Sequence, residues 1–208
     1  MEDYMRGLGL WGQAVLSVAV LLVGSVTAQQ KGTFTDSRDG QKYKTVKIGT
    51  QTWTAENMNV KTGTSWCYDD DESNCKKYGR LYAWSTAAKM ACPDGWHLPS
   101  NKEWTVLVPA AGSLTAGKKL KSKSGWNNNE GKTGNGTDVF GFSALPGGLR
   151  NDDGDFYSVG NSGNWWTSEE DEGNAAYNRV ILYDDDGVGG VSVDKSVGFS
   201  VRCVADSK

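Results

Sequence analysis

The 208-residue chain has one histidine, four prolines and four methionines. With a single imidazole there is no second ring for a His-rich metal site or a histidine relay. A surplus of basic residues is also missing: Lys and Arg total 22 against 25 Asp and Glu, a formal net charge of −3. Nothing is in excess to neutralise phosphates, so a dedicated nucleic-acid binder is not expected. The close CxxC-type pairs that zinc sites and dithiol redox enzymes need are absent. There is no internal repeat and no Pro/Ser-rich linker, which argues for one domain. What is present is glycine, 27 residues or about 13% against a usual ~7%, together with nine tryptophans. A composition 38% hydrophobic and 23% charged is too apolar for a wholly disordered chain. It predicts a loop-rich fold with an aromatic core.

Long hydrophobic runs are missing apart from residues 8–26. Ala14 to Val23 is almost purely aliphatic, and Val26-Thr27-Ala28 sets small residues before a cleavage point. That is the layout of a secretory signal over residues 1–28, removed after Ala28. The alternative is a retained anchor, since a stretch of ~19 residues can just cross a bilayer. A membrane contact is expected only in that case. The rest, 29–208, is expected to be a single domain in an extracellular or cell-surface setting.

All four cysteines follow this segment. An even number in an exported chain reads as two disulfides. Three connectivities are open. Cys67 and Cys75 are eight apart, so a local staple is economical, and Cys92 would then pair with Cys203. In the chain-entropy model closing a ~110-residue loop stabilises by roughly 4–5 kcal/mol.

Along the chain, Thr33–Thr35, Tyr43–Ile48 and Gln51–Ala55 read as an antiparallel meander turned at Asp39-Gly40 and Gly49-Thr50. Residues 61–78 read as irregular, and Leu81–Met90 as a first helix. Ser100-Asn101-Lys102-Glu103 is a capping box, so a second helix starts after Ser100, carries Trp104, Leu107 and Val108 inward, and ends by Gly112. Ala116–Ser122 adds a short helical turn. Residues 123–176 are rich in Gly, Asn and Asp and read as a long irregular region. Tyr177–Tyr183, Val188–Val193 and Val197–Val204 read as closing strands.

Several blocks then match a known family in order. They are Tyr43-Lys-Thr-Val-Lys-Ile-Gly-Thr-Gln-Thr-Trp53 through Asn59, then Trp66-Cys67-Tyr68 with Asn74-Cys75 and Tyr78-Gly-Arg-Leu-Tyr82. Cys92-Pro-Asp-Gly-Trp-His-Leu-Pro-Ser100 with Glu103-Trp104 follows. Gly134-Asn-Gly-Thr-Asp138, Gly141-Phe-Ser-Ala-Leu-Pro146 and Gly198-Phe-Ser-Val-Arg-Cys203 complete the set. Over 33–204 the chain resembles the Fibrobacter succinogenes major paralogous domain. The resemblance implies an exported, surface-associated protein. It also implies a fold similar to C-type lectin domains and the formylglycine-generating enzyme. The expected architecture is therefore α+β and C-type lectin-like, with two helices, small antiparallel sheets and a long irregular loop region. The Gly198–Cys203 ending is also similar to that of variable proteins diversified by retroelements, which adds weight to a binding role.

No motif matches the formylglycine-generating active site, and no residues are assigned as catalytic. His97, between Trp96 and Leu98-Pro99, reads as a turn residue. The oxygen-rich acidic loops, Asn151 to Asp155 above all, leave calcium open as the one cofactor. The composition of a recognition surface, Tyr and Trp for contact area with Asn and Ser for adaptable hydrogen bonds, is concentrated in Arg150–Asn178. The candidate ligand-binding residues are Asn151, Asp155, Tyr157, Asn161, Asn164, Trp166, Asn174, Tyr177, Asn178 and Tyr183. The core is the competing place for at least one ring of the Trp165-Trp166 pair. The expected function is a non-enzymatic binding domain for a protein or carbohydrate ligand. The alternatives are a structural, self-associating subunit of a surface assembly and, further off, an enzyme of the formylglycine-generating type.

Overall fold

A computed structural model describes residues 30–207. The expected signal or anchor at 1–28 lies outside the described residues. Among those described, no helix is long and apolar enough to cross a membrane.

The chain opens with the expected meander, β1 (Lys31–Thr35), β2 (Lys42–Ile48) and β3 (Gln51–Thr54), paired antiparallel throughout. In β2 the lysines at 42, 44 and 47 face solvent while Tyr43, Val46 and Ile48 are buried. Gly49, at φ +60, lets the two-residue β2–β3 turn close.

The 61–78 segment is more regular than its composition suggests. β4 (Ser65–Trp66) leads through a 3-10 turn into α1 (Glu72–Tyr78). Asp71 caps that helix by accepting from the Ser73 amide at 2.8 Å, and Lys76 and Lys77 sit in its last turn. The expected helix at Leu81–Met90 is only partly present. Leu81–Tyr82 is β5, paired with β4, and α2 (Trp84–Thr86) runs into a π-type turn at Ala87–Ala91. The apolar run fits either a buried strand or a helix, and pairing with Trp66 decides its first two residues.

β6 (Trp96–His97) precedes α3 (Asn101–Ala111). The capping box is present at both bonds: Glu103 N donates to Ser100 Oγ at 3.1 Å and Ser100 N to Glu103 Oε2 at 2.7 Å. Pro109 sits in the last turn and Gly112, at φ +114, ends the helix. α4 (Ala116–Leu120) follows.

The stretch 123–176 is irregular only in part: 134–146 carries no helix or strand, but the rest is largely strands, which corrects the expectation from composition. It holds the small hairpin β7 (Asn128–Asn129) and β8 (Lys132–Thr133), then β9 (Gly147–Arg150), β10 (Phe156–Val159) and β11 (Ser162–Glu170). β12 (Ala175–Leu182), β13 (Ser192–Asp194) and β14 (Val204–Ala205) complete the chain. From 197 to 203 the backbone makes only isolated bridges, such as Phe199 with Tyr82 and Gly198 with Arg150.

Two five-stranded sheets result, ordered β1-β2-β3-β14-β6 and β10-β9-β11-β12-β13. All pairs are antiparallel except β9 with β11. With the four short helices among the described residues, the architecture is mixed α+β. β14 inserts between β3 and β6, pairing Val204 with Trp53 and with His97.

Central strand β11 is buried on both faces from Ser162 to Thr167, so it lacks the period-2 pattern that marks a half-buried strand. Its adjacent tryptophans point to opposite sides. Trp165 joins Trp53, Trp104, Trp126 and Phe142 in one core cluster, and Trp166 joins Tyr43, Tyr82, Trp84 and Phe199 in the other. The pairs Trp53–Trp104 (5.0 Å, edge-on) and Trp166–Phe199 (4.5 Å) exemplify the packing, and such pairs add about 0.5–1.5 kcal/mol beyond area burial.

The disulfides are Cys67–Cys75 and Cys92–Cys203, spanning 8 and 111 residues. Beside the second lies Arg202, fully buried. Its guanidinium donates to Asn57 Oδ1 (2.6 Å) and to the carbonyls of Thr54 (2.9 Å), Phe142 (2.8 Å) and Ser143 (2.9 Å). It thereby ties β3 to the 138–145 loop. Burial pulls its pKa below the usual arginine value.

Candidate functional site

Three of the ten candidate ligand residues are not available to a ligand. Trp166 is buried and its Nε1 donates to Tyr82 O at 2.7 Å. Asn164 is buried, with Nδ2 bonded to Ser162 Oγ (2.8 Å) and Gly148 O (3.2 Å). Asn178 is buried, and its Oδ1 accepts from Val191 N at 3.0 Å. Tyrosine- and asparagine-rich composition does not distinguish a display surface from a polar seam inside a sheet, and here the seam claims these three.

The other seven fall in three places. Asn174 and Tyr177 lie at the far end of the β11–β12 hairpin, where Asn174 donates to Asp194 Oδ2 (3.0 Å). A hydrogen bond to Asp171, and then that carboxylate's charge, raise the pKa of Tyr177. Asn161 and Tyr183 lie at the opposite end, roughly 25 Å away along a nine-residue strand. Asn151, Asp155 and Tyr157 sit at the β9–β10 hairpin. The candidate surface is thus split.

At the Asn161–Tyr183 end there is a groove of about 470 Å³, lined by Tyr183, Asp184, Asp185 and Asp186 together with Lys118, Lys121, Asn129, Lys132 and Thr133. Lys121, which sequence reasoning passed over, builds the wall. It is almost wholly buried, and its Nζ donates to Leu182 O (3.0 Å) and Asp185 O (2.9 Å) over the Trp126 ring at 5.3 Å. Burial, the largest influence, lowers its pKa, partly opposed by Asp186. A lysine pinned by the carbonyls at the end of β12 fixes the loop that carries three exposed carboxylates.

At the β9–β10 end, Arg150 is stacked 4.3 Å over the Trp66 ring centroid and 5.9 Å from Phe156, which packs on Tyr68 at 5.3 Å. Neither Arg150 nor Trp66 was singled out for the site from sequence. Trp66 lies far off in sequence and nothing local signals the stack. The adjoining loop is tight. Asn151 N donates to Asp155 O (2.8 Å), Asp155 N to Asp153 Oδ1 (3.0 Å) and Asp153 N to Asp152 Oδ1 (3.1 Å). The nearby Asp153 charge raises the Tyr157 pKa.

On calcium, the carboxylates of this loop do not converge. Among the described residues, the one set of three acidic, cysteine or histidine ligands within reach of a common point is Cys67, Glu72 and Cys75, and its two sulfurs are bonded to each other.

His97 is held on both sides. Nδ1 lies 2.6 Å from Asp206 and Nε2 lies 2.7 Å from Glu103. Burial opposes the charged ring, but the hydrogen bonds to Asp206 and Glu103 outweigh it and raise the pKa. Burial likewise opposes the Glu103 carboxylate, and bonds from Ser100 and His97 lower its pKa. With both ring nitrogens facing carboxylates, His97 is a structural clamp between β6, α3 and the segment after β14.

Taken together, these features define a disulfide-stapled α+β domain whose polar surface carries a groove and a stacked arginine. The Fibrobacter succinogenes major domain model matches residues 46–205, and the chain belongs to that family. No curated protein and no solved structure matches the chain.

Proposed function

We propose that this protein is an exported or cell-surface binding domain, non-enzymatic and C-type lectin-like in fold. Its ligand, a protein or a carbohydrate, is taken by the exposed part of residues 151–184. The observation that carries the reading is the groove beside Tyr183, a concavity of ligand size. One half-buried aromatic ring, facing lysines and aspartates, and the Asn129 and Thr133 side chains give it donors, acceptors and an apolar face. Two disulfides support an oxidising compartment. Insertion of β14 beside β3, bringing the two ends of the domain together, supports the lectin-like fold.

A combined glycan and protein array tests the reading, with Tyr183→Ala and Asp184→Ala as variants. The expected result is a ligand whose binding falls by about tenfold or more in each. Absence of any ligand overturns it, and a ligand indifferent to both variants overturns the groove as the place where that ligand binds.

A further inference from the structure

Arg150, like Arg202 and Lys121, is a cation held in place by its surroundings, but its donors are left free. Trp66 and Phe156 fix the plane of its guanidinium. Among the described residues it has no ion pair within 4.0 Å and no side-chain hydrogen bond. The buried side-chain atoms without a partner are Asn59 Oδ1, Trp104 Nε1 and Arg179 Nε. The Arg150 nitrogens are not among them, so their N–H groups open to solvent. An arginine clamped by aromatic faces with its edge unused has little rotamer freedom left to lose on binding.

The edge does not face a neutral surface. Nη2 lies against Gly154: a Cβ there would stand 2.9 Å from it. Gly154, at φ +100, separates Asp153 from Asp155, both exposed. Asp153 accepts two bonds and Asp155 one from within the loop, leaving further acceptor capacity on both. Tyr157, also exposed, has its hydroxyl 3.4 Å from Asp155 Oδ2. Fixed donors, fixed acceptors and an aromatic ring therefore meet at one hairpin.

We infer that the β9–β10 hairpin binds a neutral carbohydrate through adjacent hydroxyls, each accepting from Arg150 and donating to Asp153 or Asp155. A hydroxyl is both donor and acceptor, so it can bridge a guanidinium and a carboxylate that do not reach each other. A carboxylate ligand fits the guanidinium but meets three aspartates, Asp152, Asp153 and Asp155, that repel it. A calcium ion fits the aspartates but meets the guanidinium. The neutral polyol satisfies both. The inference rests on the binding reading above and assigns to its surface a site and a ligand class.

The test is titration of the full chain with methyl glycosides of glucose, mannose and galactose, with cellobiose, and with glucuronate, followed by calorimetry or ligand-observed NMR. At least one neutral sugar is expected to bind at millimolar strength. Arg150→Gln, Arg150→Lys and Asp155→Asn should each weaken it by about tenfold, with near-UV circular dichroism unchanged and no effect of EDTA. Glucuronate should bind more weakly than methyl glucoside. The inference is overturned by sugar binding indifferent to all three variants, by a requirement for calcium, or by tighter binding of glucuronate. Sugar binding lost in Tyr183→Ala but kept in Arg150→Gln overturns it while leaving the general binding function standing, as does a protein-only ligand. No ligand of any kind removes both. Asp155 is exposed, so its variant remains informative if the Arg150 variants fold poorly.

Discussion

Arg202 and Arg150 stand in two regions of one molecule under opposite treatment. Around Arg202 four hydrogen bonds reach neutral acceptors, three of them backbone carbonyls. The cation there acts as a multi-point tie between segments that share no strand pairing. Around Arg150 the faces are covered and the edge is left open. The same side chain serves as internal mortar in one sheet and as a presented donor at the margin of the other. What separates the roles is whether backbone carbonyls converge on the donors.

The two disulfides belong to these two regions and allow the largest test of the contrast. Cys203 adjoins Arg202, and Cys67 adjoins Trp66 under Arg150. In the chain-entropy model the 111-residue closure contributes about 4–5 kcal/mol and the 8-residue closure about 2.5 kcal/mol. Urea denaturation of the double Cys→Ser variants is expected to show the Cys92–Cys203 pair as the costlier loss by about 2 kcal/mol. Equal losses would mean that the Arg202 region is not the more dependent on long-range closure.

Next comes the direct exchange of the arginines. Arg202→Met strands the carbonyls of Thr54, Phe142 and Ser143, each at roughly 1–3 kcal/mol, and is expected to cost about 3–4 kcal/mol in the same assay. Arg150→Gln forfeits only a stacking contact, no more than about 1 kcal/mol. A ratio near one would erase the distinction.

The smallest effect is a pH slope. His97 clamps the segment after β14, and its folded pKa is raised. Its contribution is therefore complete below the unfolded value, about 6.5, and is lost as pH rises through the folded pKa. Glu103 is lowered, so its share is present above its unfolded pKa and disappears as pH falls through the folded one. Melting temperature scanned from about pH 5 to 9 should decline on the alkaline side in the parent chain and flatten there in His97→Gln. An unchanged slope would remove His97 from the closure.

Much of this was legible beforehand, for reasons that differ by segment. The lysine alternation of β2, the two-residue turn at Gly49 and the Ser100–Glu103 box are local signals, and the structure follows them. Among the three open cysteine pairings, the economical local staple Cys67–Cys75 is the one the structure carries, with Cys92–Cys203 beside it. Helix α1 also carried a readable signal, Asp71 at its cap with lysines at its end, hidden inside a loop that looked irregular. The β9–β11 strands carried none. Gly147, Gly148 and Gly163 sit where neighbouring atoms crowd the backbone, and β11 is buried on both faces, so glycine there marks close packing rather than a turn. The candidate site was legible as a region and not as residues. Asn164, Trp166 and Asn178 were absorbed by the sheet, while Arg150 acquires its environment from Trp66, and a stack between distant residues leaves no local trace.

The place of β14 has a consequence in time. Val204 pairs with Trp53, about 150 residues earlier in the chain. The first sheet therefore stays a three-stranded meander with an open edge until β14 has been synthesised. Closing it costs a long loop's worth of chain entropy. A chain stalled or truncated before residue 203 keeps an unprotected edge, ready to pair with its neighbour.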